Sequence, residues 1–180
     1  MCPTNDKYVL LIEEFDHSVN ITLINKHNFL KIVDQNMDVF REVLGNEVTA
    51  DNLLEKITSQ KQDLFQSLNN HHGLLGIVLG FGNNNAFLYQ KREELKKNAI
   101  LFTFQSNLLN ERLLAINSKL GLFEEKKNSC TQIIPFPAFM ADLTTDETKM
   151  LRRSYKNQCK TVMNVYKEGN FLDITLKHLF

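Results

Sequence analysis

The stretch GLLGIVLGFGNNNAF, residues 73–87, decides how this chain is interpreted. It contains four of the seven glycines, a long apolar run and three consecutive asparagines. On a helix with 100° per residue, Gly73, Gly76 and Gly80 lie within about 60° of one another. A glycine inside a helix costs about 1 kcal/mol relative to alanine, and close approach of another backbone usually offsets this cost. The pattern therefore predicts a buried, closely packed helix.

A second interpretation of the same stretch is a loop that binds phosphate. The apolar run would be a strand, the glycines a turn, and the residues after Asn85 a helix whose N-terminus meets an anion. The pattern Gly80-x-Gly82-x-x-Asn85 lacks the third glycine of a dinucleotide fingerprint, and no lysine follows it as in a P-loop. Residues 100–104 would be the next strand, but no acidic residue ends it where a ribose would be held.

A third interpretation makes the turn after the apolar run a site for a peptide, a glycan or a small polar ligand. Three asparagines at a helix start present amide groups together with free backbone N–H groups. The candidate ligand-binding residues are Phe81, Gly82, Asn83, Asn84, Asn85 and the preceding His72. The alternative is purely structural, with Gly82 ending one helix and Asn83 or Asn84 capping the next.

The length and composition of the chain are those of one ordered domain: 180 residues, of which 43% are hydrophobic, 23% are charged and three are prolines. A chain of this length can bury a sizeable core, so we expect a single domain over residues 1–180, disordered only at residues 1–7. The net charge is zero, but it is unevenly spread. Residues 1–60 carry ten acidic and five basic side chains, and residues 61–180 carry eleven acidic and sixteen basic ones. This balance does not indicate a general attraction to nucleic acid.

The three cysteines, Cys2, Cys130 and Cys159, are too few and too far apart to indicate a disulfide framework or a zinc site. We expect reduced thiols and a cytoplasmic protein. The alternative is a mature lipoprotein or secreted protein whose signal peptide was removed before Cys2. No run approaches the ~20 apolar residues of a transmembrane helix.

Hydrophobic periodicity predicts a mainly α-helical fold. Residues 8–24 are rich in β-branched residues, which are compatible with two short strands or one helix, and we expect a short β-hairpin. Residues 27–44 have helical spacing up to a stop at Gly45, and Thr49 or Asp51 can cap the next helix. Two further helices are expected at residues 86–97 and 107–120, the second of them closed by Gly121. Residues 124–146 contain two prolines and are expected to form an ordered extended connection.

The helix expected from Glu147 to Lys167 has two distinct faces. Its apolar face carries Leu151, Tyr155, Val162 and Tyr166, whereas its basic face carries Lys149, Arg152, Arg153, Lys156, Lys160 and Lys167. The candidate partner-binding residues are Arg152, Arg153, Lys156 and Lys160. Such a face could meet phosphate, an acidic protein or a membrane surface, or could be simply solvated or paired within the chain.

The sequence predicts no catalytic residue, no metal site and no cofactor. His71 and His72 are adjacent, so on a helix they would point about 100° apart and would chelate one metal poorly. No HExxH motif and no paired cysteines are present. We therefore expect a non-enzymatic binding or protein-interaction domain with an unknown protein partner. The alternative is an enzyme that binds a small molecule or a nucleotide phosphate at the turn from Gly80 to Asn85.

Three segments resemble a family of bacterial, mainly helical proteins. They are LLGIVLGFGNNNAF at residues 74–87, VLGNEVTADNLL at residues 43–54 and PFPAFMADLTTDETKML at residues 135–151. The resemblance implies one intact helical domain and carries no activity, cofactor or catalytic residue with it.

Overall fold

The structure is a computed structural model that describes residues 7–15, 18–59, 63–101, 106–124, 136–167 and 169–179. The described part contains nine helices and two small antiparallel sheets, so the mainly α-helical prediction is confirmed. The predicted disorder at residues 1–7 falls, apart from Lys7, outside the described residues. The chain divides into a first unit, residues 1–78 with 175–180, and a second unit, residues 79–174. The single-domain interpretation stays a prediction.

The elements are numbered in chain order. They are β1 (Tyr8–Phe15), β2 (Ser18–Asn25), α1 (Lys26–Gln35), α2 (Met37–Leu44), α3 (Ala50–Thr58), α4 (Leu64–Ser67), α5 (His72–Val78), α6 (Asn83–Leu101), α7 (Ser106–Lys119), β3 (Leu120–Phe123), β4 (Phe139–Asp142), α8 (Asp146–Lys167) and α9 (Phe171–Leu179).

The first unit begins with the predicted hairpin. Strands β1 and β2 pair antiparallel from Tyr8 opposite Asn25 to Phe15 opposite Ser18. Side chains alternate between the two faces of such a ribbon, so one face carries the buried side chains of the hairpin. The buried residues of the hairpin and of helices α1 to α3 are Val9, Leu11, Ile24, Phe29, Val33, Phe40, Ala50, Leu53 and Ile57. Together with the buried residues Leu64, Leu68, Leu74 and Ile77, this set forms the apolar interior of the first unit.

The single helix expected over residues 27–44 is divided into α1 and α2 at Asn36. The backbone of Asn36 leaves the helical region, with φ −123° and ψ 23°, and its Nδ2 donates to the carbonyl oxygen of Ile32 at 2.8 Å. An asparagine side chain can compete in this way for backbone groups that would otherwise continue a helix. The stop at Gly45 is confirmed by its φ of +102°. Thr49 caps α3 in a reciprocal box with Asn52.

The apolar run of the opening stretch forms α5, which is shorter than expected. Gly73 and Gly76 are buried on this helix, as the packing interpretation predicted. The helix ends at Val78, however, and Gly80 has φ +75°, so it does not extend the glycine face. Because residues 72–78 are helical, the strand required by the phosphate-loop interpretation is not formed.

In the second unit, the two-stranded ribbon of β3 and β4 lies between two apolar clusters. On one face, Phe123, Phe139 and Ala141 are buried against a partly buried set: Phe81, Phe136, Leu151 and Tyr155. On the other face, Leu120 and Met140 pack with leucines of α6 and α7. Gly121 therefore belongs to a strand and does not stop the preceding helix as predicted.

The segment predicted as a proline-containing connection is ordered at its C-terminal end. Residues 136–138 lead into β4, and residues 125–135 lie outside the described part. Helix α8 starts as expected, because Thr145 Oγ1 accepts a hydrogen bond from the backbone N–H of Thr148 at 3.3 Å. This cap fixes the first turn of α8 beside the end of β4.

Candidate functional site

The asparagine turn is centred on a buried side chain, Asn85, which is 1% exposed in the first turn of α6. Its Nδ2 donates to the carbonyl oxygen of Phe81 at 3.0 Å and to Thr148 Oγ1 at 2.9 Å. Its Oδ1 accepts from the backbone N–H of Asp142 at 3.0 Å. These hydrogen bonds make Asn85 a structural link between α6, β4 and α8. They also stabilise the protein, because a buried amide without partners would cost free energy.

The link continues through two threonines. Thr148, 1% exposed, has its Oγ1 2.9 Å from Thr145 Oγ1 and 3.2 Å from Asn85 Oδ1. Thr145 Oγ1 also lies 3.1 Å from the carbonyl oxygen of Asp142, to which it can donate. The polar atoms of the three side chains therefore satisfy one another inside the second unit.

The N-terminus of α6 is occupied by a carboxylate of the same chain. Glu147 Oε1 accepts from the backbone N–H of Asn84 at 3.3 Å. Glu147 Oε2 is buried and has no hydrogen-bond partner among the described residues. A negative charge at this end of a helix is favoured by the exposed N–H groups and the helix dipole. Glu147 thus occupies the position in which the phosphate-loop interpretation places an anion.

The lack of a side chain at Gly82 allows the Glu147 carboxylate to approach the start of α6. A Cβ on Gly82 would lie 2.7 Å from the Cδ of Glu147 and 3.0 Å from the Cδ1 of Leu151. The φ of Gly82 is +88°, a conformation that side-chain-bearing residues rarely adopt. Glycine is therefore required here for close packing of α8 as well as for the turn.

Phe81 and Gly80 are held by the aromatic cluster of the second unit. The ring of Phe81 stacks on Phe139 with 4.1 Å between ring centroids and 10° between planes. The hydroxyl of Tyr155 donates to the carbonyl oxygen of Gly80 at 3.1 Å. Partial burial raises the pKa of the Tyr155 phenol above its ordinary value of 10.0, because the charged form is poorly solvated there. Both contacts anchor the turn to β4 and α8.

Asp142, at the end of β4, is fixed by the residues that follow it. Its Oδ1 accepts from Thr144 Oγ1 at 2.6 Å and from the Thr144 backbone N–H at 3.0 Å. These hydrogen bonds favour the ionised form and lower the pKa of Asp142 below its ordinary value of 3.8. The turn between β4 and α8 is thereby ordered by a carboxylate at the surface.

The predicted ligand-binding residues fall into three groups. Phe81, Gly82 and Asn85 belong to the packed framework just described, whereas Asn83 and Asn84 are exposed at the start of α6. His72 lies in the first unit, half-buried, with its ring centroid 4.7 Å from that of Phe65. The turn residues are thus brought together in the second unit, and ligand binding by any of these residues stays a prediction.

The basic residues of α8 also divide by environment. Arg152 Nη1 donates to the carbonyl oxygen of Glu124 at 2.8 Å, and its guanidinium lies 4.7 Å from the centroid of the Phe123 ring. Arg152 is therefore a packing residue of the second unit, stabilised by a cation–π contact. The exposed residues Lys149, Arg153, Lys156 and Lys160 form what we call the basic stripe. Lys149, at its N-terminal end, also pairs with Asp146 at 3.0 Å.

An exposed apolar surface on the hairpin was not among the predicted sites. The outer hairpin face consists of Ile12, Val19, Ile21 and Leu23, which are 47%, 57%, 69% and 52% exposed. Ile12 lies directly opposite Ile21 in the register, so the four side chains are neighbours on one face. The sequence signal is the alternation in VNITLI, residues 19–24, which sends three apolar side chains to the same side.

The described residues hold no group of three or more His, Cys, Asp or Glu side chains placed to bind a metal ion. Within the same residues, no helix combines the length and apolar character needed to cross a bilayer. Comparisons with protein-family models, with curated proteins and with solved structures produced no match for this chain.

Proposed function

We propose that this chain is a non-enzymatic protein-interaction domain that contacts an acidic partner protein through the basic stripe of α8. The observation that carries the proposal is the exposure of four cations along one line of a single helix. From Lys149 to Lys167 the sequence contains no acidic residue. Charges arranged in this way favour encounter with a surface of opposite sign and help to select it.

The other side of α8 supports the same proposal. Thr148 and Cys159 are buried, and Leu151 and Tyr155 pack against the aromatic cluster. The basic stripe thus lies on the side of an ordered helix that is opposite these packed residues. A partner then meets charges whose backbone positions are already ordered, which lowers the entropic cost of association.

The phosphate-binding alternative has less support. The carboxylate of Glu147 lies against the start of α6, so a phosphate would have to displace a negative charge already favoured there. The side chains that could add contacts are the exposed amides of Asn83 and Asn84. We expect no thermal stabilisation by nucleotides or sugar phosphates, whereas a ligand at 100 times its dissociation constant would add about 2.7 kcal/mol.

The proposal is tested by capture of partners from the native host with three matched baits. They are the unmodified protein, Arg153→Glu with Lys160→Glu, and Lys91→Glu with Lys97→Glu. The second pair lies on α6, is exposed, and changes the net charge by the same amount. We expect a partner that the unmodified protein and the α6 variant retain, that the stripe variant loses, and that elutes with salt. Equal capture by all three baits would contradict the proposal.

A further inference from the structure

The basic stripe repeats with the period of a helix seam. Lys149, Arg153, Lys156 and Lys160 follow one another at steps of four, three and four residues. At 100° and 1.5 Å per residue, they lie within about 60° of arc and extend over about 16 Å. The stripe is therefore a straight line of charge parallel to the helix axis.

From this geometry we infer that the basic stripe receives an acidic α-helix of the partner, with carboxylates at the same spacing of three and four residues. The inference rests on the proposed function and specifies the kind of partner. Carboxylates three or four residues apart lie in line on a helix surface, as the cations of α8 do. Two such lines can align along their length, which is how flanking charges of paired helices select partner and orientation.

Two cations of the stripe carry the argument for such a contact. Arg153 and Lys160 are exposed, and neither has an ion pair within the described part of the chain. The residues beside the stripe on one side are exposed, and they comprise three polar residues, Asn157, Thr161 and Asn164, and the apolar Met150. These mainly polar surroundings favour a solvated contact that is selected by charge and weakened by salt. They favour a buried apolar contact less.

A membrane surface fits the stripe less well. A helix that lies in the interface of a bilayer buries its apolar face among the lipid chains. In α8 the N-terminal part of the apolar face is already packed inside the second unit, through Leu151 and Tyr155, and farther along the same face Val162 is the exposed apolar side chain. The cations alone would have to provide the attraction.

Nucleic acid also fits less well. The net charge is zero and the isoelectric point is about 7.0, whereas nucleic-acid-binding domains are usually strongly basic. A single line of cations over about 16 Å meets few phosphates, and affinity for a duplex depends on their number.

The test measures binding of labelled synthetic peptides to the full-length protein by fluorescence anisotropy. One peptide is a helix with glutamates at steps of four, three and four residues. The other has the same composition and helicity with the glutamates placed around the helix. We expect the unmodified protein to bind the aligned peptide about tenfold more tightly than the shuffled one. Equal binding of the two peptides would overturn the inference without any substitution in the protein.

Four further binding measurements complete the test. The Arg153→Glu, Lys160→Glu variant should lose the preference for the aligned peptide, and the Lys91→Glu, Lys97→Glu variant should keep it. Phosphatidylserine vesicles and a DNA duplex should bind more weakly than the aligned peptide, and tighter binding of either would overturn the inference. If the peptides are not distinguished but capture of the host partner still depends on the stripe, the inference fails and the proposed function stands. If both fail, the stripe is solvated surface.

Discussion

The side chain of Asn85 joins three elements that are far apart in sequence. Its amide meets Thr148, 63 residues away, and the backbone of Asp142, 57 residues away. A single buried amide can do this because it carries donors and acceptors on opposite sides of one planar group. This candidate ligand-binding residue of the sequence is thus buried in the interior of the second unit.

We expect Asn85→Ala to destabilise the protein by about 2–3 kcal/mol, because the Asp142 N–H and the Thr148 hydroxyl would lose partners in a buried site. Asn84→Ala is the matched control, since its exposed side chain lies one residue away in the same turn. The control should change the free energy of unfolding by no more than about 0.5 kcal/mol. Chemical denaturation measures both values, and a similar loss in the two variants would contradict the role given to Asn85.

Tyr155 gives a prediction that depends on pH. Tyr155→Phe removes the hydrogen bond to Gly80 and should cost about 1 kcal/mol at neutral pH. The pKa of the phenol is raised in the folded protein, so its contribution is present below the ordinary value of 10.0 and is lost as pH rises through the folded pKa. The difference in the free energy of unfolding between the unmodified protein and Tyr155→Phe should therefore shrink as the pH rises above 10.0 and through the folded pKa. Denaturation at several alkaline pH values checks this, and a constant difference would show that Tyr155 does not titrate with folding.

At the scale of elements, the joins between helices depend on glycines whose surroundings differ. Gly80 and Gly82 both have positive φ, but a Cβ on Gly80 would meet the Tyr155 hydroxyl at an ordinary 3.6 Å. A Cβ on Gly82 would collide with the Glu147 carboxylate. The first glycine is needed only for its backbone conformation, and the second also leaves space for α8.

We expect Gly80→Ala to cost about 1–2 kcal/mol from backbone strain alone. Gly82→Ala should cost at least about 1 kcal/mol more, because overpacking is added to the strain. Combining Gly82→Ala with Glu147→Ala should recover part of this excess, as a double-mutant cycle measures. Equal losses at the two glycines, with no recovery in the double variant, would mean that Glu147 does not pack against the turn.

The hairpin offers a similar comparison between its two faces. Ile21 and Ile24 are on the same strand, at 69% and 6% exposure. Ile24→Thr should cost about 2–3 kcal/mol, since it removes apolar contacts and places a hydroxyl in a buried site. Ile21→Thr should stay within about 0.5 kcal/mol, because threonine retains the β-branch. Thermal unfolding measures the stability of both variants. A large loss of stability in Ile21→Thr would show that the outer hairpin face is covered in solution.

At the scale of the whole molecule, the chain forms two compact units, each with its own buried residues. The sequence predicts one domain, and a single domain unfolds as one cooperative system. Hydrogen exchange can distinguish the two cases, because the slowest amides of each part report the free energy of the opening that exposes them.

We expect the slowest amides of the β1–β2 hairpin and of α6 to reach the same limiting free energy, equal to that of global unfolding. Exchange measured by nuclear magnetic resonance at rising, sub-denaturing urea concentrations tests this. Two separate plateaus, one for each unit, would instead show that residues 79–174 and the remaining chain unfold independently.

Much of the local structure could be predicted from the sequence because it depends on neighbours a few residues apart. The hairpin follows from the β-branched and apolar residues between positions 8 and 24, and the cap at Thr49 follows from a hydroxyl that reaches the next helical turn. The basic stripe follows from the spacing of cations on one helix. The break at Asn36 was missed because the apolar spacing continues through it, although an asparagine side chain ends the helix.

Only the tertiary structure decided how the glycine- and asparagine-rich stretch is used. Its residues favour a turn, but the sequence cannot show that Glu147 lies at the start of α6 or that Phe139 stacks on Phe81. The pairing of β3 with β4 was likewise decided only by the tertiary structure, since the two short segments are separated by a long connection in the sequence. Composition and periodicity thus determined the helices, the hairpin and the line of basic residues, which are local properties of the chain. Contacts between distant residues determined which polar groups are buried and which remain at the surface, because burial depends on what folds against them.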